Sequence, residues 1–368
     1  MQTPETAPQT DDERIKDYIG KIATGPKQSK NLTEAEAEDG LGLILKGKTS
    51  SVRAAVFLIA ARMKRETLEE NIGYWRALDK TTIKHAANLD RLLQVADPFD
   101  GFNRTPYFGF YAMPVMAALG LPCYGHSALS LPPKYGITFQ DILQLHYKIP
   151  TTLSIETILK GLEKHQFAFL GIEQSHPPLE KLRDLRVEML KRTALATFEK
   201  MLMPIKTRGK NYLATGYFHK GYEIPMTTVG KLTEFDKIII GNGAEGTTLY
   251  GVHKSARVFL VTDNNDAEEM AFGLEEKVSA DTAQRIREAY RELKNETVRF
   301  DTLAAWGETA LRNGTGPAAP LIAWQAGLLS HLAGLFPDAQ TAFTAAEGVL
   351  KRETCYASLM EFIREMCA

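Results

Sequence analysis

The chain has 368 residues, 44% hydrophobic and 24% charged, enough for one or two packed units of the usual ~100–200 residues each. Lys and Arg total 44 against 45 Asp and Glu, so no net field draws the whole molecule to nucleic acid or an anionic membrane. Three scattered cysteines form neither a metal pattern nor a disulfide framework, and no apolar run nears the ~20 residues of a membrane helix, which predicts a cytoplasmic protein.

Residues 1–11 are polar and acidic with no apolar signal core, and read as a disordered tail. From 12 to about 87 the pattern is helical. In "NLTEAEAEDGLGLILKG" Thr33 and Glu36 have capping-box spacing, Leu41, Ile44 and Leu45 recur at helical spacing, and Gly47 stops the helix. "SSVRAAVFLIAARMKRETLEENIGYWRAL" reads as two helices joined near Arg65 and Glu66. The first is apolar on most faces, which suits the centre of a bundle or a dimer interface.

After Leu92 the elements alternate. "LLQVAD" reads as a strand, followed by a loop, a helix through Ala118 and the strand "LPCYGH". "ITFQDILQLHY" and "SIETILKGLEKH" read as helices, "QFAFLGIE" as a buried strand, and "PPLEKLRDLRVEMLKRTALATFEKMLMPI" as one long helical stretch. "YLATGYF", "DKIIIGNG" and "ARVFLVTD" supply further strands, with a helix near 227–232, and from Asp281 onward the chain is helical. The sequence predicts a small all-helical domain (12–87) and a larger α/β domain (88–368) with a central sheet flanked by helices.

Ligands of such sheets bind outside the carboxyl ends of the strands, which selects the loops at 97–105, 125–134, 173–176 and 241–248. In "GNGAEGTT" three glycines permit close backbone approach. Glu245 there suits a divalent cation, although a glycine-rich turn explains the same residues. Asp97 and Asp100 suit metal or hydroxyl ligation, or equally turn and cap positions. Gly101, Asn103, Arg104 and Thr105 stand where a phosphate would meet backbone amides at the start of the next helix, with Lys134 as a further anion contact. His126 and His176 follow strands and are candidate cleft residues, with a structural hydrogen bond as the alternative. No histidine pair has zinc-ligand spacing. The 181–210 segment is rich in cations, either as a solvated face or as an anion groove; Arg192 and Lys200, eight apart, would share a helical face.

These residues resemble a known family. "NLTEAEAEDGLGLILKGKTSSVRAAVFLIAARMKRETLEE" is similar to the N-terminal helical domain of the anthranilate phosphoribosyltransferase family, with Lys64, Arg65, Glu66 and Thr67 at its characteristic turn. "FAFLGIEQSHPPL" resembles the family's strand and His-Pro loop, "LPCYGHSA" the strand before its His-Gly-Asn loop, and "NGTGPAAPLIAWQAGLLSHL" its closing helices. The resemblance implies a nucleoside phosphorylase/phosphoribosyltransferase-like fold, with 176–197 completing the helical domain. It also implies a homodimer through the helical domains and phosphoribosyl pyrophosphate held with Mg²⁺ on the α/β domain. Catalysis there is chiefly positioning and stabilisation of departing diphosphate.

Departures fall at the chemistry. Asp97, Pro98, Phe99, Asp100 and Gly101 replace the family's Gly-Thr-Gly-Gly-Asp; Pro98 lacks an amide and Phe99 adds bulk. Of the Lys-His-Gly-Asn-Arg loop only His126 remains, and Glu245 with Gly246 replaces an Asp-Glu metal pair. Asp100, Gly101 and Arg104, Glu245 and Gly246, and Lys200 before Pro204 resemble a divergent branch, some of whose members bind nucleic acid. Three readings follow. One is a transferase on an altered substrate, with Glu245 as metal ligand (Mg²⁺ if the donor site is retained, otherwise no cofactor) and Arg104, Lys134, Arg192 and Lys200 as anion contacts. The others are a non-catalytic homodimer binding single-stranded or duplex nucleic acid along the basic segment, and standard anthranilate transfer, which the replaced loop opposes.

Overall fold

A computed structural model of the chain describes residues 9–25, 27–150, 153–294, 296 and 298–367; residues 1–8, most of the expected tail, lie outside it. Four helices open the fold: α1 (Asp11–Ile22), α2 (Glu34–Leu45), α3 (Ser51–Lys64) and α4 (Leu68–Thr81). Each begins where a hydroxyl can take an orphan amide of the first turn. Thr10, Thr33, Ser50 and Thr67 are the caps, and Glu13, Glu36 and Glu70 complete capping boxes in α1, α2 and α4. Thr10 and Asp11 thus belong to a helix and not to a tail. Gly73 lets α4 cross α2 closely, because a Cβ there would lie 2.3 Å from the Glu34 carbonyl oxygen.

The main sheet has seven strands in the order β4 (Phe167–Gly171), β3 (Cys123–Ser127), β2 (Arg91–Ala96), β6 (Lys210–Gly216), β7 (Lys237–Gly241), β8 (Ala256–Thr262), β9 (Glu268–Phe272). The first five are parallel and the last two add antiparallel. A short parallel pair, β1 (His85–Ala87) with β5 (Ile205–Thr207), lies apart. Strands β2, β3 and β4 are buried at nearly every position, as a sheet covered on both faces requires. Period-2 alternation divides them: Ile239 packs with α5 (Gly109–Ala118) and the C-terminal helices, while Ile238 and Ile240 join the core shared with α1 to α4.

The sequence reading missed β9 and the β1/β5 pair, which are short and polar or isolated. It also overextended one helix. The 177–205 stretch is broken into Pro177–Glu180, Arg183–Met189 and Leu195–Phe198, the second break falling where Leu190 turns into the left-handed region (φ 56°). A buried ion pair holds the broken segment. Arg186 forks onto Glu199 at 2.6 and 2.9 Å, and Leu179, Leu195 and Phe198 join the helical core.

Glu70 ties this core together. Fully buried, it accepts the amides of Leu32 (2.8 Å) and Thr67 (2.7 Å) and the Lys64 ammonium (2.7 Å). Glu70→Ala would leave Lys64 and two amides without their acceptor. We expect a loss of about 3–5 kcal/mol in urea unfolding, with Glu70→Gln losing less.

Candidate functional site

Chain order runs outward from the middle of the sheet in both directions: β2, β3, β4 on one side and β6, β7 on the other. The switch point therefore lies between β2 and β6, where loops leave in opposite directions and a crevice opens. A cleft of about 130 Å³ occupies it. Pro98, Phe99 and Asp100 line it after β2, Gly216 to His219 after β6, and Glu245 and Gly246 after β7; Arg62, Arg192 and Lys200 face it from the helical side.

The loops are locked to one another by charge. Glu245 sits at φ 52°, a backbone conformation disfavoured for a side chain with a Cβ, in the turn after β7. One of its carboxylate oxygens, Oε2, accepts the backbone N–H groups of Asn103 (3.2 Å), Arg104 (2.9 Å) and Thr105 (3.0 Å). Lys134 Nζ lies 3.7 Å from Glu245 Oε1 and 3.7 Å from Asp100 Oδ1. Arg192 Nε donates to Asp100 Oδ2 at 2.7 Å, and the Asn103 amide reaches the Lys134 carbonyl at 3.3 Å. Burial pulls the Lys134 ammonium down in pKa, while Asp100 and Glu245 pull it back up.

Beneath this layer Lys200, 4% exposed, donates to the Gly216 carbonyl at 2.5 Å, and burial lowers it to about 8 against the opposing pull of Asp97. Asp97 receives the Thr248 amide at 2.8 Å and the Tyr107 hydroxyl. Tyr107 and Thr248 in turn receive Gln325 at 2.8 and 2.9 Å.

The expected site residues thus divide. Asn103, Arg104, Thr105, Lys134, Arg192 and Glu245 form one network, and Lys200 reaches the same cleft from below. Arg192 and Lys200 do not share a helical face as expected; Arg192 lies in the link between Arg183–Met189 and Leu195–Phe198, and Lys200 in the turn Glu199–Met201. Gly101 has a structural reason: at φ 70° it lets the chain lie against the next loop, where a Cβ would meet the Gly136 carbonyl carbon at 2.4 Å. Neither histidine lines the cleft. His176 is buried as the cap of Pro177–Glu180, its Nδ1 accepting Leu179 N–H at 3.0 Å and its Nε2 donating to the Leu78 carbonyl at 3.0 Å. His126 is fully buried under the edge of Phe99, bonded through Nε2 to Ser175 Oγ at 2.9 Å, and burial lowers it to about 3. The loop after β6 also lines the cleft, through Tyr217 and Phe218, which the sequence does not mark as site residues, and His219, whose sequence signal is weak. Strand β6 ends at Gly216, inside "YLATGYF", and because ligands meet the carboxyl ends of strands the residues from Tyr217 onward carry the signal.

A helical bundle packs against one face of the α/β sheet, and a cleft opens at the sheet's switch point. Residues 16–82 match the helical bundle domain of the glycosyl transferase family. The chain is similar in sequence, over part of its length, to anthranilate phosphoribosyltransferases, and similar in fold to their solved structures. It is 25% identical over 233 residues to the anthranilate phosphoribosyltransferase of Methylocella silvestris, covering 63% of each chain. It is 29% identical over 216 residues to an uncharacterized protein of Aquifex aeolicus, covering 59% of this chain and 64% of that one. The matched stretch spans just under two thirds of the length of these curated relatives. The fold matches the Saccharomyces cerevisiae anthranilate phosphoribosyltransferase in complex with PRPP and Mg at TM-score 0.76 and 16% identity, over 97% of this chain and 98% of that one.

Asp97 makes a pH prediction. Burial raises its pKa to about 6, from the ~3.9 of a free aspartate, although Tyr107, Thr248 and Lys200 oppose the rise. The folded state therefore holds this proton more tightly than the unfolded state. The group's contribution to stability is fullest below pH ~4 and is lost as pH rises to about 6. Unfolding free energy of Asp97→Asn minus that of the wild type should rise across this window, by at most about 3 kcal/mol, and stay flat above it.

Proposed function

We propose that this chain is a phosphoribosyltransferase-like protein of the cytoplasm whose cleft takes a compact anion on Arg192, Lys200 and Arg62. On this reading it does not transfer phosphoribose to anthranilate in the manner of its relatives. The carrying observation is the self-neutralised network of Arg192, Asp100, Lys134 and Glu245 at the mouth of the switch-point cleft. Pro98 withholds an amide, and Phe99, 1% exposed, fills the space toward His126, so backbone approach to a diphosphate is blocked. The cleft's roughly 130 Å³ lies below the ~300 Å³ where pockets for drug-sized ligands begin. A shallower groove of about 610 Å³ adjoins it, sharing Arg62, Thr193, Thr197 and Tyr222, and gives the ligand a route in.

The Mg²⁺ that the yeast relative carries with PRPP does not fit this arrangement. Glu245 Oε2 is already taken by three amides, and an ion between Asp100 and Glu245 would meet the Lys134 ammonium. Nucleic-acid binding along 181–210 has weaker support, because Arg183, Arg186, Arg192, Lys206 and Lys210 each meet a carboxylate of the chain itself. No helix among the described residues is long and apolar enough to cross a membrane.

Calorimetric titration of phosphoribosyl pyrophosphate, with and without Mg²⁺, tests the reading. We expect binding no tighter than millimolar, indifferent to Mg²⁺ and weakened by Arg192→Ala, with no anthranilate turnover. Micromolar, Mg²⁺-dependent binding would sink it, and binding to an oligonucleotide that falls steeply with salt would favour the nucleic-acid reading instead.

A homodimer through the helical bundle belongs to the same proposal. α3 is apolar on two faces: Ala54, Phe57, Leu58 and Ala61 are buried, while Val52 (71% exposed), Val56 and Met63 (77%) line an open groove of about 780 Å³ with Ile22 and Met189. The double substitution Val52→Glu, Val56→Glu should halve the mass seen by light scattering without lowering thermal stability. A wild type that is already monomeric at tens of micromolar would refute the dimer.

A further inference from the structure

We infer that the amide nest at 103–105 is a phosphoryl-binding subsite that the chain keeps closed with its own ions, Glu245 standing in the anion's place and Lys134 in a metal's. The inference rests on reading the cleft as an anion site and adds how that site is regulated: a phosphate-class ligand enters the nest only by displacing a resident carboxylate, and needs no divalent cation to do so.

Three features carry it. Three consecutive N–H groups converge on one oxygen, Glu245 Oε2, at 3.2, 2.9 and 3.0 Å, a donor set shaped for an oxyanion and independent of side-chain identity. The anion comes from about 140 residues away in sequence and from a turn held in the left-handed region, so the local backbone is bent to deliver it. On the far side of the same carboxylate lies a lysine shared with Asp100, 3.7 Å from each, which supplies the positive charge that a metal would give a bound diphosphate. Glu245 also lines the cleft, so a side-chain rotation can carry it out of the nest into open space while Lys134 stays to meet the incoming anion.

The test uses inorganic pyrophosphate in EDTA, titrated calorimetrically into the full chain. Glu245→Ala should bind at least about tenfold more tightly than the wild type, the worth of one charge-assisted hydrogen bond. Lys134→Met added to Glu245→Ala should erase that gain, whereas Arg192→Ala added to Glu245→Ala should leave most of it. Glu245→Gln, which keeps the shape and removes the charge, should show a smaller gain and serves if the alanine variant fails to fold. Equal affinities in the wild type and both Glu245 variants would overturn the inference. So would Mg²⁺-dependent binding in the wild type that Glu245→Ala weakens, since Glu245 would then be a metal ligand. A gain abolished by Arg192→Ala but not by Lys134→Met would overturn the nest while leaving the cleft reading standing.

Discussion

A single carboxylate oxygen at the switch point of the sheet sets the geometry of everything above it. Glu245 Oε2 binds the loop after β7 to the loop after β2 through three backbone N–H groups, across the edge of β6 that separates them. Three backbone donors aimed at one point favour an anion there, and Glu245 fixes the 103–105 segment by supplying it. Once Glu245 fills that role, Lys134 is drawn to the pair it makes with Asp100, Asp100 holds Arg192, and Arg192 fixes the broken segment between the helices Arg183–Met189 and Leu195–Phe198. The order of these contacts runs from the sheet to the bundle.

The charge balance follows from burial. Asp97, Asp100 and Glu245 stand against Lys134, Arg192 and Lys200 in a site where few of these groups reach water. An excess of either sign would be expensive in such surroundings, and each cation is placed where a carboxylate or carbonyl can meet it. A site that receives a diphosphate, with its several negative charges, is built the other way, with donors and cations left over. The balance here suits a weaker or smaller anion, or one that takes the place of a carboxylate already present.

Much of this was legible in the sequence, and what was not has identifiable causes. The capping box at Thr33 and Glu36, the apolar strand Phe167–Gly171 and the helical C-terminal quarter follow from local chemistry that tertiary contacts did not override. Residues 103–105, Lys134 and Glu245 were picked out one by one, but that they meet could not be read from spacing, since about 140 residues separate the nest from its anion. Glu245 invites a metal-ligand reading because a carboxylate beside glycines looks the same whether it faces an ion or a backbone. Gly101 is the converse case: its sequence context suggested a ligand, whereas the contact that requires it is with Gly136 of the chain itself. The break at Leu190 escaped periodicity because a leucine at φ 56° carries no sequence mark, unlike the glycine or asparagine that commonly serves there.

The plug beneath the network bears on what rearrangement the cleft allows. Phe99 is packed edge-on against His126, whose ring is held by Ser175, and His126 has its other nitrogen buried with no partner. Swinging Phe99 out would expose an apolar ring and admit water to that nitrogen, so its two consequences pull in opposite directions. Glu245 faces no such constraint on its cleft side, and its left-handed backbone is already a cost that leaving the nest could relieve. Of the two obstacles to an anion in this cleft, the carboxylate is therefore the one that can move, and the phenylalanine is the one that limits how far a ligand can reach.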